Sequence, residues 1–279
     1  MDVKQDFKVV GTRPIRPDGI EKVTGRARFG SDFVLPGMLQ GKVLRSEHAH
    51  AKIKSIDTSE AEKVDGVKAV VTGDDFPALQ SGMVEAGEAP TDQWDLARNV
   101  IARDKVLYHG HVVAAVAATS IAAAELAITK IKVEYEALTP VLDLETAMAD
   151  NAPLLHDDLY TQGLAEKATT PSNIAAFMEL KRGDIDVGFN EADVVVERTF
   201  TTSTVHQGYI EPHAVVAQTT ENGKCEIWCC TQGPFEVHGG QALWFVGFRC
   251  WNQWTSPDVF NHVLVAVWHL AGLLSTVHV

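Results

Sequence analysis

Side chains able to ligate a metal or move a proton collect at four places along the chain. His206, Glu211 and His213 fall within eight positions. Extended backbone would put Glu211 and His213 on one face and His206 on the other. Pro212 disturbs even that alternation, so the three do not read as a direct metal site. Cys225, Cys229, Cys230 and Cys250 all lie in the last quarter. Adjacent Cys229 and Cys230 would point to opposite faces of a strand, which makes them poor joint ligands. A bunched set of thiols also cannot tie distant parts of the chain together as a disulfide framework does. They read as buried or incidental thiols that pack as small hydrophobes. His48 and His50 share a strand face but have no third ligand nearby, and read as packing residues. His109 and His111 flank Gly110 in a turn.

The elements that would carry these groups follow from periodicity and turn chemistry. Arg16-Pro17-Asp18-Gly19, Thr24-Gly25 and Leu35-Pro36-Gly37 are turns. Residues 42–45 and 51–56 read as strands, the second in the strict alternation of a half-buried one. A short helix over Ser59–Val64, capped by Thr58 or Ser59, stops at Gly66, and 67–71 returns as a strand. The acidic stretch 81–99 lacks periodicity and reads as a surface excursion. Val112 to Ala117 is a continuous small-apolar run, which suits a strand buried on both faces. Ser120 can cap a helix with Ile121, Ala124, Ile128 and Ile131 on one face, and 132–136 is a further strand. Strand–helix–strand order makes an α+β or α/β layer. The Pro- and Gly-bearing stretch that follows reads as a linker with a short helix near Leu144–Met148. Residues 193–204 then read as a long strand, helped by Val194, Val195, Val196, Thr199 and Phe200. Another strand follows Pro212, and Asn222-Gly223 turns it into a partner over 226–231.

Bulk properties narrow the partners. A chain of 279 residues with 46% hydrophobic and 22% charged residues suits one or two globular domains. Its net charge of −13 argues against a nucleic-acid groove, which needs a basic face. No apolar leader follows Met1, so a reducing cytoplasm is the expected location. The last part, 239–279, carries only Arg249 and Asp258 as full charges and four of the six tryptophans. Asn261, His262 and His269 interrupt its apolar run, so no membrane span is expected.

Several strings are more specific. Asp18-Gly-Ile-Glu-Lys-Val-Thr-Gly-Arg-Ala-Arg-Phe29 leads to Leu35-Pro-Gly-Met-Leu39, Gly41-Lys-Val-Leu-Arg-Ser46 and His48-Ala-His50. Asp65-Gly-Val-Lys-Ala-Val-Val-Thr-Gly73, Val112-Val-Ala-Ala-Val-Ala-Ala118 and Ile131-Lys-Val-Glu-Tyr-Glu136 follow. Together they resemble the a/b hammerhead domain of the xanthine dehydrogenase and aldehyde oxidase family. His206-Gln-Gly-Tyr-Ile-Glu-Pro-His-Ala214 and Thr231-Gln-Gly-Pro-Phe235 resemble the opening strands of that family's molybdopterin-binding domain. The fold class implied is α+β, a hammerhead followed by an incomplete mixed α/β molybdopterin-binding domain. The expected divisions are an arm over 1–15, the hammerhead over 16–140, a linker over 141–190, the molybdopterin region over 191–238 and an atypical tail over 239–279.

The resemblance implies a molybdenum hydroxylase, which oxidises a small molecule such as an aldehyde or N-heterocycle using a molybdenum–pterin cofactor and a glutamate base. It implies iron–sulfur [2Fe-2S] and FAD partner subunits or domains and a dimer of large subunits. Gln232 stands where the family places a glutamine beside the molybdenum oxo ligand, and its amide could donate there without adding charge. His109 and His111 replace a Gly-Glu-Pro string common in relatives. No glycine-rich cofactor loop follows Phe235, and the glutamate base would lie beyond Val279. These departures lead to the expectation of a truncated or frameshifted chain, inactive alone and not retaining the cofactor. Two other readings are a non-catalytic hammerhead docking module and an enzyme using its C-terminal His and Cys residues.

Overall fold

The computed structural model describes residues 8–76, 82–85, 90–203, 205, 208, 210, 213–219 and 225–231. A short helix, α1 (Gly19–Val23), interrupts the turn-rich opening. The first sheet takes β1 (Gln40–Arg45), β3 (Val67–Thr72) and β7 (Val112–Ala118) in the order β1-β7-β3. The second takes β2 (Ala51–Asp57), β6 (Lys105–Val106) and β8 (Lys132–Ala137) in the order β6-β2-β8. Between β3 and β6 lie the small hairpin β4 (Met83–Glu85) and β5 (Pro90–Asp92) and the helix α3 (Gln93–Val100). Every pairing between these strands is antiparallel, so the class is α+β.

β7 is buried along its whole length. Its alternation serves two cores. Ala114, Val116 and Ala118 pack with Ala61 of α2 (Ser59–Glu62) and with Ala124 and Ala127 of α4 (Ile121–Ile128). Val113 instead packs with Ala51, Ala102 and Val106. Small side chains on both surfaces let α4 lie close on the sheet, and Ser120 caps it by accepting from the Ala123 N–H at 3.2 Å.

The structure corrects three expectations. Ile121 is 51% exposed, whereas Ala127 is buried. The buried stripe of α4 centres between Ala124 and Ile131, and Ile121 stands at its rim. The 81–99 stretch is not wholly a surface excursion: α3 buries Ala97 and Val100, and Asp92 caps it by accepting from the Trp94 N–H at 2.8 Å. Residues 193–203 form no strand, and Val194, Val195, Val196 and Phe200 are exposed. Branched residues favour extended backbone, but a strand also needs a hydrogen-bonding neighbour.

Two short helices lie in the intervening stretch, α5 (Leu144–Met148) capped by Asp143 and α6 (Ile185–Glu191) capped by Asp184. The last described unit is an antiparallel hairpin of β9 (Val215–Thr219) and β10 (Cys225–Cys229). No helix among the described residues is long and apolar enough to cross a membrane.

Candidate functional site

The β9–β10 hairpin is the element that leads to Gln232. Val216 lies opposite Trp228 and Val215 opposite Cys229. Pairing continues one residue past the ladder. The Cys230 N–H donates to the Ala214 carbonyl at 3.3 Å, and the Ala214 N–H donates to Cys230 Sγ at 3.3 Å. Cys230 Sγ also lies 3.7 Å from His213 Nδ1. The described chain reaches Thr231 and stops there, so Gln232 lies outside the described residues, as do His206 and Glu211. Among the described residues no three His, Cys, Asp or Glu converge as metal ligands. Cys229 and Cys230 are half-buried thiols; Cys250 lies outside the described residues.

Residues 28–33 lie against this hairpin. The Phe33 ring stacks on Trp228 with centroids 5.7 Å apart and planes 25° apart. The Arg28 guanidinium sits 4.4 Å from the Phe33 ring centre, and its Nη2 donates to the Asp32 carbonyl at 3.0 Å. Asp32 in turn accepts from the Phe29 N–H at 2.9 Å, which closes the short turn Gly30–Asp32. Gly30 is buried, and a Cβ there would stand 2.8 Å from the Ala214 carbonyl oxygen.

The histidines of the first region differ in burial and partners. His50 is buried and its Nδ1–H donates to the Thr139 carbonyl at 2.9 Å. His48 packs its ring 4.9 Å from that of Tyr135. His109 is exposed, whereas His111 is fully buried. His111 Nδ1 accepts from the Leu107 N–H at 3.1 Å, and its ring stacks 4.4 Å from Tyr108. Burial pulls its pKa down to about 4, against a smaller opposing pull from the Arg98 backbone. It is neutral at pH 7 and pins the turn before β7.

Sequence reasoning missed a polar cluster beside it. Arg98, on α3, pairs with Asp95 and reaches Asp158 at 2.5 Å. Trp94 Nε1–H donates to the same Asp158 at 3.2 Å, and Lys105 reaches Asp157 at 3.0 Å. Burial works against the Asp158 carboxylate, but bonds from Arg98 and Trp94 outweigh it and hold its pKa below the usual range. His156 is pulled down to about 4, first by burial and then by Arg98. The Asp95–Arg98 spacing was a readable helix pair, but nothing local announces a partner 60 residues away.

A molybdenum–pterin group needs a recess ringed with hydrogen-bond donors. Two hollows among the described residues can be tested for it. One, of about 200 Å³, lies between Ile53–Ile56, Thr72–Asp74 and Ala102–Asp104, where Asp74 and Asp104 stand beside Lys54 and Arg103. The other is open and apolar, lined by Phe189 and Val194–Val196 among others. Neither adjoins the end of β10. Neither hollow therefore fits that group, and no catalytic step is derived through it.

Comparison with known proteins supplies the relationship. Residues 24–139 match the family described as aldehyde oxidase and xanthine dehydrogenase, a/b hammerhead domain, and residues 166–245 match the molybdopterin cofactor-binding domain. The chain is 32% identical over 243 residues to the nicotinate dehydrogenase large molybdopterin subunit of Eubacterium barkeri, over 86% of this chain and 52% of that one. It is 35% identical over 232 residues to the carbon monoxide dehydrogenase large chain of Afipia carboxidovorans, over 82% of this chain and 28% of that one. The solved structure of quinoline 2-oxidoreductase from Pseudomonas putida superposes with a TM-score of 0.66 at 30% identity, over 85% of this chain and 28% of that one. The chain thus spans about half the length of the first relative and less of the other two. With two matched regions in this order, the first holding the antiparallel sheets and the second the hairpin, the chain belongs to the xanthine dehydrogenase and aldehyde oxidase family of molybdenum hydroxylases and matches the N-terminal part of its large molybdopterin-binding subunit.

Proposed function

We propose that this chain supplies the hammerhead domain and the opening of the molybdopterin region of a molybdenum hydroxylase large subunit. The observation that carries the reading is the second matched region, 166–245, which contains the Thr231-Gln232 string. When bound in such an enzyme, the molybdenum–pterin group supplies an activated oxygen for oxidative hydroxylation of an aldehyde, N-heterocycle or related small molecule. In this reading Gln232, which follows β10 in the chain, would help hold that group through its amide N–H. Iron–sulfur and FAD subunits or domains take the electrons, and a second large subunit completes the assembly. The divisions expected from the sequence, with the hammerhead over 16–140 and the molybdopterin region from 191, belong to the same proposal.

The same proposal holds that this chain alone does not retain the cofactor, as the sequence leads one to expect. Elemental analysis of the purified chain, prepared in a host that makes the cofactor, tests both parts. Molybdenum well below one atom per chain is expected. One molybdenum per chain would overturn the claim that the chain does not retain the cofactor. One zinc per chain, with no molybdenum, would overturn the molybdenum reading itself.

A further inference from the structure

We propose that residues 28–33 form a clasp on the β9–β10 hairpin, with Phe33 and Gly30 holding the backbone of the strand that runs into the Thr231-Gln232 string. The inference rests on the proposed function in one respect: only under that reading does the placement of Gln232 bear on chemistry.

A two-stranded hairpin is marginal by itself and needs a third element to cover a face. Among the described residues, 28–33 supply that cover. The stack of Phe33 on Trp228 lands one pair from the open end of the hairpin, four positions before Gln232. Arg28 lies over the Phe33 ring and is itself tied to Asp32, so the ring is held from the clasp's own side as well. Gly30 sets the second contact, since a Cβ there would press within 2.8 Å of the Ala214 oxygen. That oxygen is the acceptor for the Cys230 N–H, the last backbone bond before Thr231. Both contacts fall at the open end of the hairpin, from the Val216–Trp228 pair to the Ala214–Cys230 bond, where the strand runs into Thr231. It also crosses from the region matched at 24–139 to the region matched at 166–245.

Hydrogen–deuterium exchange on the full chain reads this without any cofactor. Peptides covering 213–219 and 225–231 report the hairpin, and the peptide covering β7 serves as an internal reference. Phe33→Ala is expected to speed hairpin exchange by roughly tenfold and leave β7 unchanged. Phe33→Tyr, which keeps the ring, restores the slow rate, and Gly30→Ala speeds exchange with the aromatic pair intact. Hairpin exchange unaffected by Phe33→Ala, or accelerated equally in β7, would overturn the clasp. If Phe33→Ala does not fold, Arg28→Ala is read the same way, with an expected gain of about twofold. Failure of the molybdenum reading leaves this result standing, and a negative exchange result leaves the molybdenum reading standing.

Discussion

His111 and His156 both have pKa values pulled down to about 4, mainly by burial. In the unfolded chain each titrates near 6.5. Between these limits the unfolded state binds protons that the folded state does not, so stability falls as pH drops from about 6.5 toward 4 and is fully present above that window. His111 accounts for on the order of 3 kcal/mol across the whole window. His156 is nearer water, and screening reduces its share. The charged groups facing His156 are Arg98, Asp158, Lys105 and Asp157. Urea unfolding at pH 7.5, 6.5 and 5.5 checks the account. The midpoint should fall toward pH 5.5, and fall less in His111→Asn; a flat profile in the parent chain would rule it out. The residue types at 109 and 111 were legible, but not that one is exposed and the other sealed beneath Tyr108. That difference arises only when β7 and the turn before it are packed.

At the scale of elements, local chemistry and burial pattern carried most of the information. The uninterrupted run of β7, the Ser120 cap and the alternation of β2 are written in consecutive residues, and the observed elements follow them. Gly66 shows the same directness. Its φ of +89° ends the turn between α2 and β3, and a Cβ there would stand 2.6 Å from Thr119 Oγ1. Gly66→Ala should therefore cost more than about 1 kcal/mol, from both backbone strain and the clash. A thermal melt reads this as a lowered Tm, and an unchanged Tm would contradict it. Where the reading failed, the missing quantity was a partner. α3 is short and its stretch is acidic, so its buried Ala97 and Val100 did not stand out as a face. Residues 193–203 have strand-forming side chains but no strand beside them among the described residues.

Across the whole molecule, the two apolar cores gather residues from 44–135, whereas Leu142, Leu144, Met178, Leu180, Val194–Val196 and Phe200 stay exposed. Limited proteolysis is expected to cut within 146–210 and leave a resistant fragment near residues 10–145. Equal resistance of both parts would contradict that division. The sequence by itself determined the α+β class, the family and the order of the two matched regions, because turn chemistry, alternation and short strings are properties of neighbouring residues. Tertiary structure alone decided that residues 28–33 lie on the hairpin, that Arg98 reaches Asp158, and that His111 is sealed from water. Each of these joins or encloses residues far apart in the chain, and such contacts exist only once the sheets have packed.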